Sequence, residues 1–372
     1  MFGVLTLAVI LQVSINFAGL MKIATGIKNK ITAWESWPFE LLYMPLTVFL
    51  LWYIIKSRAV WFFTSSNPKL TFGGLEGEPK KEMYDLLPEG SFPPTFNVFP
   101  HEDFSEMQKK LHQYKIEYPL IVKPEIGGQG ILLRKIDDEV ALKHYHSLMP
   151  WEYIVQSLVQ YPMEVSVFYI RHPKKAKGII TGFLHKIPLF VTGTGTDTLE
   201  NLISKHPKGV KRVDELYGKH KERWNEVLQN GERYMLSYAA NHNRGAQFID
   251  LKNHIDDKLI AVFDEISLRI NDFFYGRYDI MCTNIDDLKE GKNFTILEYN
   301  GCGAEPNHIY DTGYTLISAY KEILKHWKAL YEICRYNRKQ GIEPWPFMKG
   351  IMFLKDSRRH ITEMKKTDIK IG

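Results

Sequence analysis

Hydrophobic and polar positions change rhythm along this chain. Residues 1–21 carry no charged side chain, and residues 41–55 (LLYMPLTVFLLWYII) form a second uncharged run. A membrane-spanning helix needs about 20 mostly apolar residues. The first run has that length but contains Gln12, Ser14 and Asn16; the second is shorter and is flanked by Trp37, Glu40, Lys56 and Arg58. From residue 118 onward, short apolar stretches alternate with turn residues. They predict strands at 119–123, 131–136, 151–158, 163–170, 178–185, 189–191, 279–284 and 294–300. Helices are expected at 81–87, 198–206, 211–230, 255–274 and 314–336, with another capped by Asp137 or Asp138. Residues 67–100 are rich in Gly and Pro and read as a connector. The tail from residue 355, with six Lys/Arg against three Asp/Glu, reads as a solvated or membrane-facing end.

Composition narrows the choices. A chain of 372 residues with 45% apolar content allows two or three domains and excludes a largely disordered or fibrous protein. The net charge of 48 − 43 = +5 is spread thinly, with no basic stripe, so no nucleic-acid partner is expected. Cys282, Cys302 and Cys334 form no CxxC pair, which argues against a disulfide framework or a structural zinc site and fits a reducing compartment. Trp34, Trp37, Trp52 and Trp61 are four of the eight tryptophans, all at the N-terminus. Aromatic residues at the ends of apolar runs favour a bilayer interface. Lys22, Lys28 and Lys30 follow the first run, and Lys56 and Arg58 the second. Both basic clusters favour the cytoplasmic side, which two full crossings could not satisfy. The expectation is one crossing and one interfacial or re-entrant segment, with everything after Arg58 cytoplasmic.

Candidate chemistry gathers in a few short stretches. Glu125-Ile126-Gly127-Gly128-Gln129-Gly130 follows Lys123-Pro124. Such a turn can be a plain hairpin, or a loop whose backbone approaches phosphates closely. It is neither a Rossmann fingerprint nor a Walker A loop. Arg277 and Asp279 share one strand face, as do Glu298 and Asn300. Two carboxylates and an amide oxygen suit a hard cation that carries nucleotide phosphates, and Arg277 could offset phosphoryl charge. The same four residues could instead pair structurally. The 155–159 run with Glu164 could hold a nucleoside, or be an ordinary strand. Lys186 alone is only a lysine.

In the order VKP–GGQG, VQSLVQ–E, HK, GRYD and ILEYNG, the chain resembles the ATP-grasp superfamily, most of all its D-alanine–D-alanine ligase and carboxylate–amine ligase branch. The resemblance covers roughly Lys80 to Asp311. It implies an α+β ATP-grasp fold, two lobes clasping ATP, preceded here by N-terminal membrane-associated helices. The expected organisation is a membrane-associated helical segment (1–65), a connector and start of the ATP-grasp region (66–117), an ATP-grasp domain (118–337) and a basic tail (338–372). The resemblance further implies that Lys80 and Lys123 contact the nucleotide and that Gly127, Gly128 and Gly130 cover its phosphates. Gln156 and Val159 would form the adenine hinge, Glu164 would hold the ribose and Lys186 would reach the phosphates. Asp279, Glu298 and Asn300 would bind Mg²⁺ or Mn²⁺, with Arg277 beside them.

The implied reaction activates a carboxylate as an acyl phosphate, which an amine then displaces. The chain departs from the ligase pattern in lacking the separate N-terminal substrate domain and the substrate-binding serine and tyrosine motifs, which puts a D-alanine substrate in doubt. Arg244, in 241–245, could bind a carboxylate, and Glu305 or His308 could take a proton from an amine; both stretches could also be ordinary loops. The functional expectation is a membrane-anchored ATP-dependent ligase facing the cytoplasm. The alternative is a non-catalytic MgATP-binding membrane protein that regulates partners.

Overall fold

The computed structural model describes residues 34–128 and 130–371. The uncharged run at 1–21 and its trailing lysines lie outside them, as does Gln129.

The strands are β1 (Thr95–Val98), β2 (Leu120–Pro124), β3 (Arg134–Ile136), β4 (Tyr153–Ser157), β5 (Met163–Ile170), β6 (Ile179–Ile187), β7 (Phe190–Thr192), β8 (Arg233–Met235), β9 (Gln247–Asp250), β10 (Tyr275–Cys282) and β11 (Phe294–Asn300). They form a four-stranded sheet in the order β1-β4-β2-β3, a five-stranded sheet in the order β11-β10-β5-β6-β9, and a β7-β8 pair. Every pairing is antiparallel. With the helices between them, this is an α+β architecture.

Two helices cover the smaller sheet. Phe104–Gln113 starts at Asp103, whose side chain accepts from Ser105 N, and Glu139–Leu148 starts at Asp138, which accepts from Ala141 N. Such caps satisfy amide donors that the first turn leaves open. Met107, Leu111, Leu142 and Tyr145 then bury against Val122, Tyr153 and Val155.

Period-two alternation splits the larger sheet into two unlike faces. Val165, Val167, Tyr278 and Ile280 pack with Phe263, Ile266 and Ile270 of the Asp257–Ile270 helix. The other face carries Glu164, Ser166, Lys186, Arg277 and Asp279. Part of that face is roofed by the Leu316–Lys339 helix, which packs Ala319 and Ile323 against Leu184 and Phe248, and Leu330 and Cys334 against Phe168 and Tyr275.

Several elements differ from the sequence expectation. The strand at 131–136 shrinks to Arg134–Ile136, because Ile131 and Leu132 turn inward as core residues, Leu132 with a φ of 58°. The helix at 211–230 ends by Arg223 after the Val213–His220 α-helix and a 3₁₀ turn, and buried Trp224 packs edge-on against Tyr217. The strand at 279–284 begins earlier, at Tyr275, and Asn284 instead caps the next helix by accepting from Asp287 N. β1, β8, β9 and the Phe104–Gln113 and Ile285–Lys289 helices have no counterpart in the sequence expectation.

The C-terminal tail is not a free end. Phe347–Ile371 is a helix that buries Met364 in the core of the smaller sheet, and Asp368 there pairs with Arg134 at 2.8 Å.

The second apolar run is helical from Phe39 to Ser57, with a 3₁₀ turn at Met44–Leu46 around Pro45. These 19 residues are long and apolar enough to cross a membrane by length and composition alone. One face packs on the body through Leu42, Leu46 and Tyr53, while Phe39, Met44, Val48, Leu51, Trp52 and Ile55 are exposed.

Candidate functional site

Register brings the acidic and basic candidates together. On β10 and β11, Arg277 stands opposite Asn300 and Asp279 opposite Glu298; a bulge follows, so Ile280 pairs with Ile296. Across the other edge of β10, Asp279 faces Ser166, and on β5 and β6 Glu164 faces Lys186. Directly opposed residues share a sheet face. Arg277, Asp279, Glu298, Asn300, Glu164 and Lys186 therefore lie on one face of four adjacent strands.

Lys186 is the buried hub. Its Nζ lies 2.6 Å from Glu164 Oε1 and 3.4 Å from Asp279 Oδ1. Burial pulls its pKa down, but Asp279 and Glu164 outweigh that and hold it above the ordinary lysine value. Burial pushes Asp279 up, yet Arg277 and Lys186 together hold it below the usual aspartate value. Glu164 stays raised by its own burial, which Lys186 only partly offsets. Asn300 Nδ2 lies 3.4 Å from Asp279 Oδ2. Asp279, Glu298 and Asn300 thus present oxygen donors of the hard type that suits Mg²⁺.

A second group comes from the smaller sheet and the Lys80–Leu86 helix. Lys123 Nζ donates to Tyr84 OH at 3.1 Å, and Gln156 Nε2 donates to the same hydroxyl at 2.9 Å. Lys80 Nζ lies 3.3 Å from the Gly127 carbonyl. Burial pushes both ammonium groups below the ordinary lysine value, and the Glu298 carboxylate partly offsets this for each. Val159 lies in the connector 158–162 between the two sheets, just past β4.

The glycine segment joins β2 to β3. Gly128 is exposed, and a side chain added there would meet nothing within 4 Å. Gly130 has a φ of +71°, which favours glycine. The C-terminal helix reaches this segment: Asp368 Oδ1 accepts from Leu132 N at 3.0 Å.

The three substrate candidates are placed apart. Arg244 forms an ion pair with Glu215 in the β7–β8 region. Glu305 Oε1 accepts from Tyr43 OH at 2.7 Å and from Tyr310 OH at 2.6 Å, and its carbonyl accepts from Arg277 Nη1 at 3.3 Å. His308 is buried beside Glu322 and His326.

Sequence reasoning missed Tyr84, Glu125, Ser166 and Asn307. Tyr84 is four residues after Lys80, so helical spacing alone puts them on one face. Glu125, whose Oε1 accepts from Lys81 N at 2.7 Å, directly follows Lys123-Pro124. The Asn307 contact to Ser166 Oγ at 3.0 Å spans 141 residues and left no sequence signal.

No protein-family model and no curated protein matches the sequence. Among solved structures, the chain is similar to D-alanine–D-alanine ligase from Bacillus anthracis, at 13% identity and a TM-score of 0.39 over 70% of this chain and 68% of that one. It is also similar to VanG D-Ala:D-Ser ligase from Enterococcus faecalis, at 16% identity and 0.37 over 68% and 61%. A bifunctional glutathione synthetase from Pasteurella multocida matches at 13% and 0.35 over 66% of this chain and only 36% of its own. These likenesses are remote, and the functional reading stands on the residues themselves.

Proposed function

We propose that this protein is an ATP-dependent ligase of the ATP-grasp type, joining a carboxylate to an amine through an acyl phosphate at a membrane surface. The observation that carries it is the convergence of Asp279, Glu298, Asn300, Arg277 and Lys186 on one sheet face, with Glu298 also acting on Lys80 and Lys123 from the opposite sheet. ATP would lie between the two sheets. Lys80 and Lys123 would meet its phosphates, the backbone after Gln156 its adenine, and Glu164 its ribose. Asp279, Glu298 and Asn300 would hold Mg²⁺, which neutralises charge on the phosphoryl oxygens. Lys186 and Arg277 would supply further positive charge where negative charge develops during transfer. Lys80, Lys123, Glu164, Lys186, Arg277, Asp279 and Asn300 are held by partners before any ligand enters, which limits the reorganisation that binding requires.

The membrane part of the proposal rests on the Phe39–Ser57 helix. Its packed face runs along the body, which leaves the exposed apolar stripe available to a bilayer surface. Phe347, Met348 and Met352 add exposed apolar area near Trp61, whose Nε1 donates to the Phe347 carbonyl at 3.0 Å.

Hydroxylamine intercepts acyl phosphates as hydroxamates, which makes it the direct test. The full chain in detergent, given MgATP, hydroxylamine and a panel of amino acids and other small carboxylates, should release ADP and form hydroxamate with at least one carboxylate. ATP binding with no ADP release across the panel would favour the non-catalytic reading. That reading has its own support: Arg244 is engaged by Glu215, and Glu305 by two tyrosines.

A further inference from the structure

Further along the same sheet face, where Phe168 stands opposite Arg277 and Gly182 opposite Phe168, the roofing Leu316–Lys339 helix carries Glu322 and His326. They are four residues apart and so share a helix face. His308, in the loop that follows β11, turns its ring toward them. One carboxylate oxygen and two imidazole nitrogens from these residues lie within 4.8 Å of one another. The rings are 5% and 1% exposed, and none of their four nitrogens makes a hydrogen bond among the described residues. Glu322 Oε1 approaches at 3.5 Å from His308 Nε2 and 3.2 Å from His326 Nε2, but without hydrogen-bond alignment.

We propose that His308, Glu322 and His326 bind a borderline first-row divalent ion, Zn²⁺, which pins the loop after β11 to the Leu316–Lys339 helix. Bonds of about 2.0–2.1 Å at tetrahedral angles put neighbouring ligand atoms about 3.3 Å apart. The two measured separations bracket that value. Imidazole ligands select Zn²⁺ over Mg²⁺, which separates this site from the oxygen set on β10 and β11. The pocket is built around the ring: a Cβ on Gly182 would lie 2.1 Å from His308 Nδ1, so glycine in β6 leaves the space that His308 fills. Phe168 closes the His326 side edge-on at 4.4 Å, and Tyr275 and Tyr314 stand further out. Lys325 Nζ also reaches Glu322 Oε1 at 3.3 Å, but its side chain is 63% exposed and can swing into solvent.

Cysteine counting could not reveal such a site, since it contains no cysteine. Its role is positional. His308 follows Asn307, which donates to Ser166 on β5, and shares a loop with Glu305, whose carbonyl holds Arg277. An ion here would fix that loop, and it does not depend on the ligase reading.

The test is metal binding by the full chain in detergent after EDTA dialysis. Titration with Co²⁺ should give one equivalent bound, with visible absorption bands of tetrahedral intensity that Zn²⁺ abolishes. His308→Ala and Glu322→Gln should each weaken Zn²⁺ binding at least a hundredfold, while Glu265→Gln, in an exposed helix pair with Arg269, leaves it unchanged. Gly182→Ala, which keeps all three ligands but crowds the ring, should also weaken it. Zinc-edge X-ray absorption of the wild-type protein needs no variant to fold, and should show a nitrogen/oxygen shell with imidazole scattering. No stoichiometric Co²⁺ binding, a sulfur shell, or equal affinity in the folded His308 and Glu322 variants would overturn the proposal.

Discussion

Arg277 grips Asp279 from two residues away on the same strand, with Nε 3.3 Å from Oδ1 and Nη2 3.2 Å from Oδ2. Side chains two apart in a strand project to the same face, and the two-point contact is the geometry that guanidinium offers a carboxylate. Lys186 approaches the same carboxylate from β6. Asp279→Asn keeps the shape but removes the charge that balances two buried cations. Removing one partner of a buried pair costs about 3–5 kcal/mol. Urea unfolding should show a loss of that order, and isothermal titration should show MgATP affinity at least tenfold lower, about 1.4 kcal/mol. A variant with wild-type affinity for MgATP would remove Asp279 from the site.

Tyr84 connects the helix, the smaller sheet and the larger one. Its hydroxyl accepts from Lys123 and Gln156 and donates to the Leu297 carbonyl at 2.8 Å. Tyr84→Phe takes this partner from the Leu297 carbonyl and from Lys123, while Gln156 Nε2 keeps Thr95 Oγ1 at 2.7 Å; the cost is about 1–3 kcal/mol for each group left unpaired and buried. The nucleotide would then meet a less ordered lysine and glutamine. We expect ATP affinity to fall about tenfold, or about 1.4 kcal/mol, with adenine analogues that lack the exocyclic amine losing less.

The pairing of Asp279 with Glu298 shows what could be read in the sequence. Both strands are strongly apolar at alternate positions, so a polar residue on the wrong parity stands out. Two-residue spacing is what puts Arg277 with Asp279, and Glu298 with Asn300, on shared faces, although the apolar pattern starts β10 four residues late. Lys186 was legible only through its order in the chain. Its contact with Glu164 follows from β5–β6 pairing, which residue types alone do not specify. The C-terminal helix misled because its charges dominate composition; burial of Met364 and the Asp368–Arg134 pair depend on partners more than two hundred residues away. The His308–Glu322–His326 cluster was invisible for a similar reason: Glu322 and His326 look like an ordinary helix face until a distant loop supplies His308.

Glu78 gives the fold a pH signature. Its Oε2 has no hydrogen-bond partner among the described residues, and burial pushes the carboxyl from 4.5 up to about 7. The fold therefore binds this proton more tightly than the unfolded chain does. The stability it contributes is complete below about pH 4.5 and is lost as pH rises toward about 7. At about 1.4 kcal/mol per unit the ceiling is about 3 kcal/mol, and solvent screening of a partly exposed group lowers it. Glu78→Gln should flatten this slope. The check is urea unfolding at pH 5 and pH 8: the wild type should lose more stability than the variant between the two.

Asp368 ties the C-terminal helix to the glycine segment by accepting from Leu132 N and from Arg134 Nη2. Asp368→Ala leaves a buried amide at a strained turn without its acceptor. Hydrogen exchange at residues 130–134 should quicken about tenfold, which is about 1.4 kcal/mol, while exchange in β10 and β11 is unchanged. If the glycine segment covers the phosphates, nucleotide binding should restore part of the protection in the variant. Equal protection with and without ATP would remove the segment from the binding site.

Val48, Trp52 and Ile55 fall on one stripe at helical spacing and are 68%, 58% and 71% exposed. The opposite face is fixed to the body: Tyr43 stacks on Trp327 at 6.2 Å and Tyr53 on Tyr331 at 4.8 Å. Trp327 and Tyr331 are one turn apart on the Leu316–Lys339 helix, so both ring contacts fasten this segment to the same stretch of the body. A helix held along the body in this way can touch a bilayer sideways but cannot also leave the body to cross it. Spin labels introduced as Val48→Cys and Ile55→Cys, in the full chain reconstituted into liposomes, separate the two cases. An in-plane helix puts both labels at the same shallow depth. A crossing helix puts them about 10 Å apart in depth, seven residues at about 1.5 Å each. Labels fully accessible to a water-soluble relaxing agent at both positions would sink the membrane reading of this segment.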